Sequence, residues 1–478
     1  MKKTLSILAF VFLAAIPAKA LNSSGFNLDA MKYRDIAVDQ SAAVPLPAAP
    51  RPKEWTVMFY STTKDKLRYT LMWQLLEMKK TGSTDKVNVV IQAAVPVKGA
   101  DGTISTPTIR MALGQAGDPA ELDKKIDAVF NAGGAIDESV LDVFAGDIVM
   151  RQNNTDTGNW KNVAEFTNWA KTNYPAGRYA FVIYGHGNGI FDQKKENKGT
   201  LIDTDTHNYV TLPELRLLMQ ATGHVDMFVM TSCIMQMAEV AWQVKDYTDV
   251  VVGSSELMSA VGYDLKAMLD TLNARPSISS KELGAQLTDG YVARVKEFKI
   301  PGAHASVIDT SKFPGFVGKL NAWVDAEMAL KDQSAISAAR KAVMRFDIFG
   351  ITTVSTNPVV AQTFSISGDL YDFVSLVTAA QPADTPGRQL ASQKGAELMD
   401  YISKELVYKY SYTGVSNTGF DYGRGHGLAV HIPPIRILAQ SGLLSDFEKN
   451  LQTIYWDLPF AKETEWGGFL GWIYGRSR

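Results

Sequence analysis

The sequence predicts an α/β fold: a mostly parallel sheet with helices on both faces. Two observations carry that expectation. Short apolar runs at Trp55 to Tyr60, Val87 to Ala93, Tyr179 to Tyr184, Met227 to Met230 and Asp249 to Ser254 lack the alternation of half-exposed strands, which is the profile of strands buried on both faces. Segments of helical spacing separate these runs, and strands alternating with helices of such lengths imply crossover units.

In chain order, Met1-Lys2-Lys3 precedes an apolar stretch from Leu5 to Ile16 and ends in Ala18-Lys19-Ala20. A charged start, a short apolar core and an Ala-x-Ala end describe a secretory signal peptide over residues 1–20. The protein is therefore expected to be exported, periplasmic or secreted. No later segment is apolar for long enough to span a membrane, so no integral membrane segment is expected after signal removal. Residues 21–53 carry few large apolar groups and include an Ala/Pro-rich run from Ser41 to Pro52, read as a flexible leader or prosegment.

The Trp55 to Tyr60 strand, a helix with Leu67, Leu71, Leu75 and Met78 on one side, and the Val87 to Ala93 strand form a βαβ opening. From about Pro96 to Val149 no clear period is visible. Trp160 to Thr172 reads as an amphipathic helix, and Tyr179 to Tyr184 as a strand running into Gly185-His186-Gly187-Asn188-Gly189. Lys194 to Asn208 is polar and aperiodic, an expected exposed loop. Thr211 and Glu214 are spaced as a capping box, with Pro213 in the first turn of a helix to Met219. The Met227 to Met230 strand leads to Cys233, and Ile234 to Val244 reads as a helix starting directly after it. Beyond about Arg275 the texture changes to helices (Lys281 to Glu297, Lys312 to Leu330, Ser334 to Met344, Tyr371 to Thr378, Gly395 to Tyr408) with strand-like pieces at Ala305 to Ile308 and Leu428 to Ile432. Two α/β domains follow, at 54–275 and 276–478, with a boundary near residues 272–280. The aromatic tail, Trp466 to Tyr474, is expected to pack on the body of the protein.

The 478 residues carry a formal charge of −2, which becomes −5 without Lys2, Lys3 and Lys19. That mild balance argues against nucleic acid or an anionic membrane as the main partner. The single cysteine, Cys233, excludes an internal disulfide, and a free thiol kept in an exported protein points toward chemistry. At a strand-to-helix turn, exposed amides and the helix dipole would favour the thiolate. The bland reading is a small buried hydrophobe.

Active sites in parallel sheets lie beyond the carboxyl ends of the strands, where both His186 and Cys233 fall. If their strands are neighbours, imidazole and thiol could meet and perform acyl transfer, with the amides of Gly187 and Cys233 holding the oxyanion. Their spacing of 47 residues fits the caspase layout. No zinc-type spacing is present, so no metal is expected; calcium in the loop of Asp203, Asp205 and His207 is the alternative. Gly423 to His431, with His426 and His431, precedes a strand instead of following one, which weakens a nucleotide reading.

Tyr184 to Gly189, Thr211 to Leu215 and Asp226 to Glu239 together resemble the clostripain-like C11 cysteine peptidases of the caspase-like clan. The resemblance extends to Trp55 to Tyr60, Gly82 to Asn88, Trp169 to Tyr174 and, more faintly, Gly427 to Pro433. It implies a caspase-like αβα sandwich with the catalytic domain at 54–275, Cys233 as nucleophile, His186 as catalytic histidine, and protein or peptide substrates without a cofactor. Family members commonly cut after Arg or Lys and mature by cleavage between the histidine and the cysteine, where Lys194, Lys195 and Lys198 lie. One departure is Thr231, which stands where the family usually has an Asp that binds the basic P1 side chain. Glu256 or Asp264 could supply that charge instead. The competing readings are a non-catalytic scaffold of the same fold and a transpeptidase using the same dyad.

Overall fold

Residues 52–132, 135–190, 199–346, 366–416, 419–433 and 455–474 are described by the computed structural model of the chain. The expected signal peptide, nearly all of the leader, and Lys194, Lys195 and Lys198 lie outside them. Nine strands form the central sheet: β1 (Lys53–Ser61), β2 (Val87–Ala94), β3 (Thr108–Ala112), β4 (Ile148–Gln152), β5 (Ala176–Tyr184), β6 (Met227–Thr231), β7 (Val250–Gly253), β8 (Gly302–Asp309) and β9 (Val407–Gly414). Their spatial order is β9-β8-β7-β6-β5-β1-β2-β3-β4. The central strands β2, β1, β5, β6 and β7 pair in parallel, and the two outer strands on each side are antiparallel.

Side chains alternate between two cores, as the period of two along a strand requires. Met58, Tyr60, Phe181, Ile183, Phe228 and Met230 enter one; Val57, Phe59, Val182, Tyr184, Met227 and Val229 enter the other. Helices Trp160–Asn173, Leu212–Thr222 and Ala238–Val244 cover the first face through residues such as Phe166, Leu215 and Val240. Helices Arg68–Thr81, Leu265–Ala274 and Ser280–Glu297 cover the second through Leu71, Leu269 and Leu283. The result is the αβα sandwich that the apolar runs predict. Thr211 caps Leu212–Thr222 in a full capping box with Glu214, worth about 1 kcal/mol.

The C-terminal half builds only a small two-stranded sheet of its own, Ser367–Asp369 against Ala429–His431, among the described residues. β8 and β9 extend the central sheet beyond β7, and Arg51–Arg478 is one compact unit, so the division expected near residues 272–280 falls inside it. Tyr408, expected at a helix end, lies in β9, because the helix Pro386–Tyr401 ends in a wide turn over Ile402–Leu406. The aromatic tail forms the helix Trp466–Ile473; Trp466 and Phe469 are fully buried, and the Trp466 indole donates to the His431 carbonyl at 3.1 Å.

Candidate active site

β5 and β6 are neighbours, with Tyr184 in register with Thr231, and the Gly185 amide donates to the Thr231 carbonyl at 3.2 Å. His186 and Cys233 each lie two residues past that pair. They line one pocket of about 220 Å3 together with Leu67, Tyr184, Thr231 and Met258. The two turns touch backbone to backbone: a Cβ on Gly187 would lie 2.8 Å from the Cys233 carbonyl oxygen and 2.8 Å from Ser232 Cβ. Gly189 adopts φ 58° and a Cβ there would meet the Ile234 oxygen at 2.7 Å. Glycines in the sequence Gly185 to Gly189 are thus what lets the histidine turn sit against the cysteine turn.

The helix expected at Ile234 begins only at Ala238. Ile234 is left-handed, with φ 60°, and its amide donates to the Glu256 carbonyl at 3.1 Å while that of Gln236 donates to Ser254 at 3.1 Å. Pairing with the segment after β7 therefore takes the amides a first helical turn would use, and Cys233 does not sit at a helix N-terminus. Its thiol is accordingly not acidified at rest. Burial pushes it up to about 11; the Met258 amide, donating to Sγ at 3.2 Å, pulls it down, and the nearby Glu256 carboxylate raises it.

His186 meets a partner that sequence reading missed. Its Nε2 lies 2.6 Å from Asp65 Oδ2, and an ionised carboxylate, which only accepts, fixes Nε2 as the protonated nitrogen. Asp65 follows the carboxyl end of β1, the neighbour of β5. The rule that pointed to His186 applies equally there, but the contact spans 121 residues. Oδ1 accepts from the Leu67 amide at 3.0 Å, fixing the turn. Burial raises the Asp65 carboxyl, but the His186 and Leu67 hydrogen bonds outweigh it and hold the group below its ordinary value.

Thr231 lines the pocket, buried, its hydroxyl without a partner among the described residues. Glu256 and Asp264 do not line it. Glu256 is buried, with Oε1 accepting from the Leu257 amide at 2.6 Å; Asp264 caps Leu265–Ala274 by accepting from Ala267 at 2.9 Å. Asp203 is fully buried instead of lying in an exposed loop, as are Thr200 and Leu201. Its carboxylate takes hydrogen bonds from Lys64, the Thr157 amide and hydroxyl, and the Asp205 amide. Lys64 Nζ lies 2.8 Å from Asp203 and 3.4 Å from Asp205, pairing with both carboxylates. His426 stacks on Tyr371 with ring centroids 3.4 Å apart, and burial holds His431 down at about 3; neither reaches the pocket lining.

A family model described as the clostripain family matches residues 126–472. The chain is similar to a solved secreted C11 cysteine protease from Bacteroides thetaiotaomicron in complex with an irreversible peptide inhibitor, at 14% identity and TM-score 0.55, covering 84% of this chain and 97% of that one. It is also similar to an inactive zymogen C11 protease from Parabacteroides distasonis, at 14% identity and TM-score 0.57, covering 87% and 99%. These likenesses show a shared, caspase-like fold. No curated protein matches the sequence. Among the described residues no helix is long and apolar enough to cross a membrane.

Proposed function

Since the chain belongs to the clostripain family and is a cysteine peptidase, we propose that it is an exported endopeptidase acting through Cys233 and His186, with Asp65 as the group that orients the histidine. The carrying observation is that thiol and imidazole line one pocket while Asp65 grips the Nε2 of the ring. A thiol held up at about 11 is protonated at neutral pH, so attack on the scissile carbonyl passes the Sγ proton to the imidazole as the S–C bond forms. The resulting imidazolium is stabilised by the Asp65 carboxylate and returns the proton to the departing amine. Water then hydrolyses the thioester by the same exchange. The amides of Gly187 and Cys233 are the proposed donors to the oxyanion.

Export follows from the expected signal peptide, and maturation by cleavage in the loop containing Lys194, Lys195 and Lys198 belongs to the same reading. The test is hydrolysis of unlabelled protein substrates by the wild type and by Cys233→Ala and His186→Ala variants with wild-type circular dichroism. Loss of turnover in both is expected. Retained turnover in either variant overturns the dyad.

A further inference from the structure

We infer that the pocket beside Cys233 accepts an uncharged P1 side chain and rejects arginine and lysine. The inference rests on the peptidase reading above and concerns what sits in its specificity pocket. The walls are Leu67, Tyr184, Thr231, Met258, Ser259 and Ala260, next to the His186 and Cys233 turns. None of these is acidic. A Cβ placed on Gly262 would meet Thr231 Cγ2 at 3.1 Å and Tyr184 at 3.6 Å, so Gly262 packs closely against the Thr231 and Tyr184 floor.

Among the described residues, the carboxylates nearest in the chain to these walls have partners of their own. Asp65 holds His186 Nε2 and the Leu67 amide. Glu256 is buried outside the lining, accepting from Leu257, and Asp264 caps a helix. A buried cation, Arg294, donates its guanidinium to the Tyr263 carbonyl at 2.9 Å and the Val261 carbonyl at 3.3 Å, on either side of Gly262. A cationic P1 group would therefore be desolvated in a mostly apolar pocket whose described lining holds no carboxylate, the nearest acids being Asp65, held by His186, and the buried Glu256. Burying a charge without a partner is unfavourable even where the side chain fits sterically. The polar groups the floor does offer are neutral: the buried Thr231 hydroxyl, without a partner among the described residues, and the Tyr184 hydroxyl, which bonds Thr70 at 2.8 Å. These suit a linear uncharged side chain such as methionine, norleucine or glutamine. One consequence is that cleavage at Lys194, Lys195 or Lys198 would fall to a second, basic-specific peptidase.

The test uses the full chain, intact and after limited proteolysis with trypsin, and two peptidyl chloromethyl ketones differing only at P1, norleucine against lysine. Second-order inactivation rates are read by mass spectrometry of the Cys233 peptide. The expected result is a norleucine rate at least roughly tenfold above the lysine rate, equivalent to about 1.4 kcal/mol. A Thr231→Asp variant is expected to narrow or reverse that ratio, because it places a carboxylate at the floor. Equal rates, or faster labelling by the lysine reagent in the wild type, overturn the inference while leaving the peptidase reading intact. Labelling by neither reagent in either form of the chain overturns the peptidase reading itself.

Discussion

Replacing Asp65 with Asn isolates the residue that the structure adds to the expected dyad. Asn keeps an oxygen to accept from the Leu67 amide, now 3.0 Å from Oδ1, so the turn survives while the negative charge beside Nε2 disappears. A charge-assisted hydrogen bond contributes about 1.5–3 kcal/mol. The His186 and Asp65 side chains are 24% and 34% exposed, so water screens the pair and the lower end applies, about 1.5 kcal/mol. Because Asp65 stabilises the imidazolium that forms as Cys233 gives up its proton, the loss falls on kcat: a decrease of roughly tenfold with little change in KM. Steady-state hydrolysis of a fluorogenic peptide reads this directly. A second readout follows from linkage. The Asp65 carboxyl is held below its ordinary value, so its contribution to stability is present above about pH 4 and lost as pH falls through the lower folded value. The stability gap between wild type and Asp65→Asn should therefore close in acid. A kcat within twofold of wild type, with no pH-dependent gap in urea unfolding, would show Asp65 to be a bystander.

Two further outcomes follow from buried charge. Lys64→Met leaves Asp203 buried without its ammonium, the two side chains being 4% and 0% exposed, and should cost about 3 kcal/mol at neutral pH. Burial raises the Asp203 carboxyl, but Lys64 and Thr157 hold it below its ordinary value, so chemical denaturation should show the deficit shrinking below about pH 4. His304 is buried among the rings of Phe346, Tyr410 and Tyr422 at centroid distances of 5.2, 5.5 and 4.8 Å, and burial pushes it down to about 3. Its unfolded form takes up a proton near pH 6.5 while the folded form does not, so stability falls as pH drops from there toward 3, by about 2 kcal/mol at pH 5. His304→Phe should flatten that acid loss; an unchanged pH dependence would place the histidine's titration elsewhere.

The parts of this site that sequence made legible are those set by one strand and its immediate exit. Apolar runs fixed β5 and β6, and the strand-end rule placed His186 and Cys233 on one side of the sheet. What stayed hidden depends on contacts distant in the chain. Asp65 and the Met258 amide reach the site from a strand exit and a loop whose proximity no local pattern encodes. The false helix start at Ile234 has the same origin, since the Ile234 to Val244 run is helical in character and only pairing with Ser254 and Glu256 diverts its first turn. Likewise the Ala305 to Ile308 run reads as part of a second domain because its central-sheet partner β7 lies on the other side of the boundary expected near residues 272–280. The buried Asp203 could not be told from an exposed acid until Lys64 was seen beside it.

The most direct measurement of the central claim is the site and rate of covalent capture by a neutral peptidyl chloromethyl ketone in wild-type and His186→Ala protein, mapped by mass spectrometry. Capture on Cys233 that slows at least roughly a hundredfold without the imidazole, as general-base assistance of this kind supplies, is the predicted result. Capture at another residue, or an equal rate in the His186→Ala protein, contradicts it.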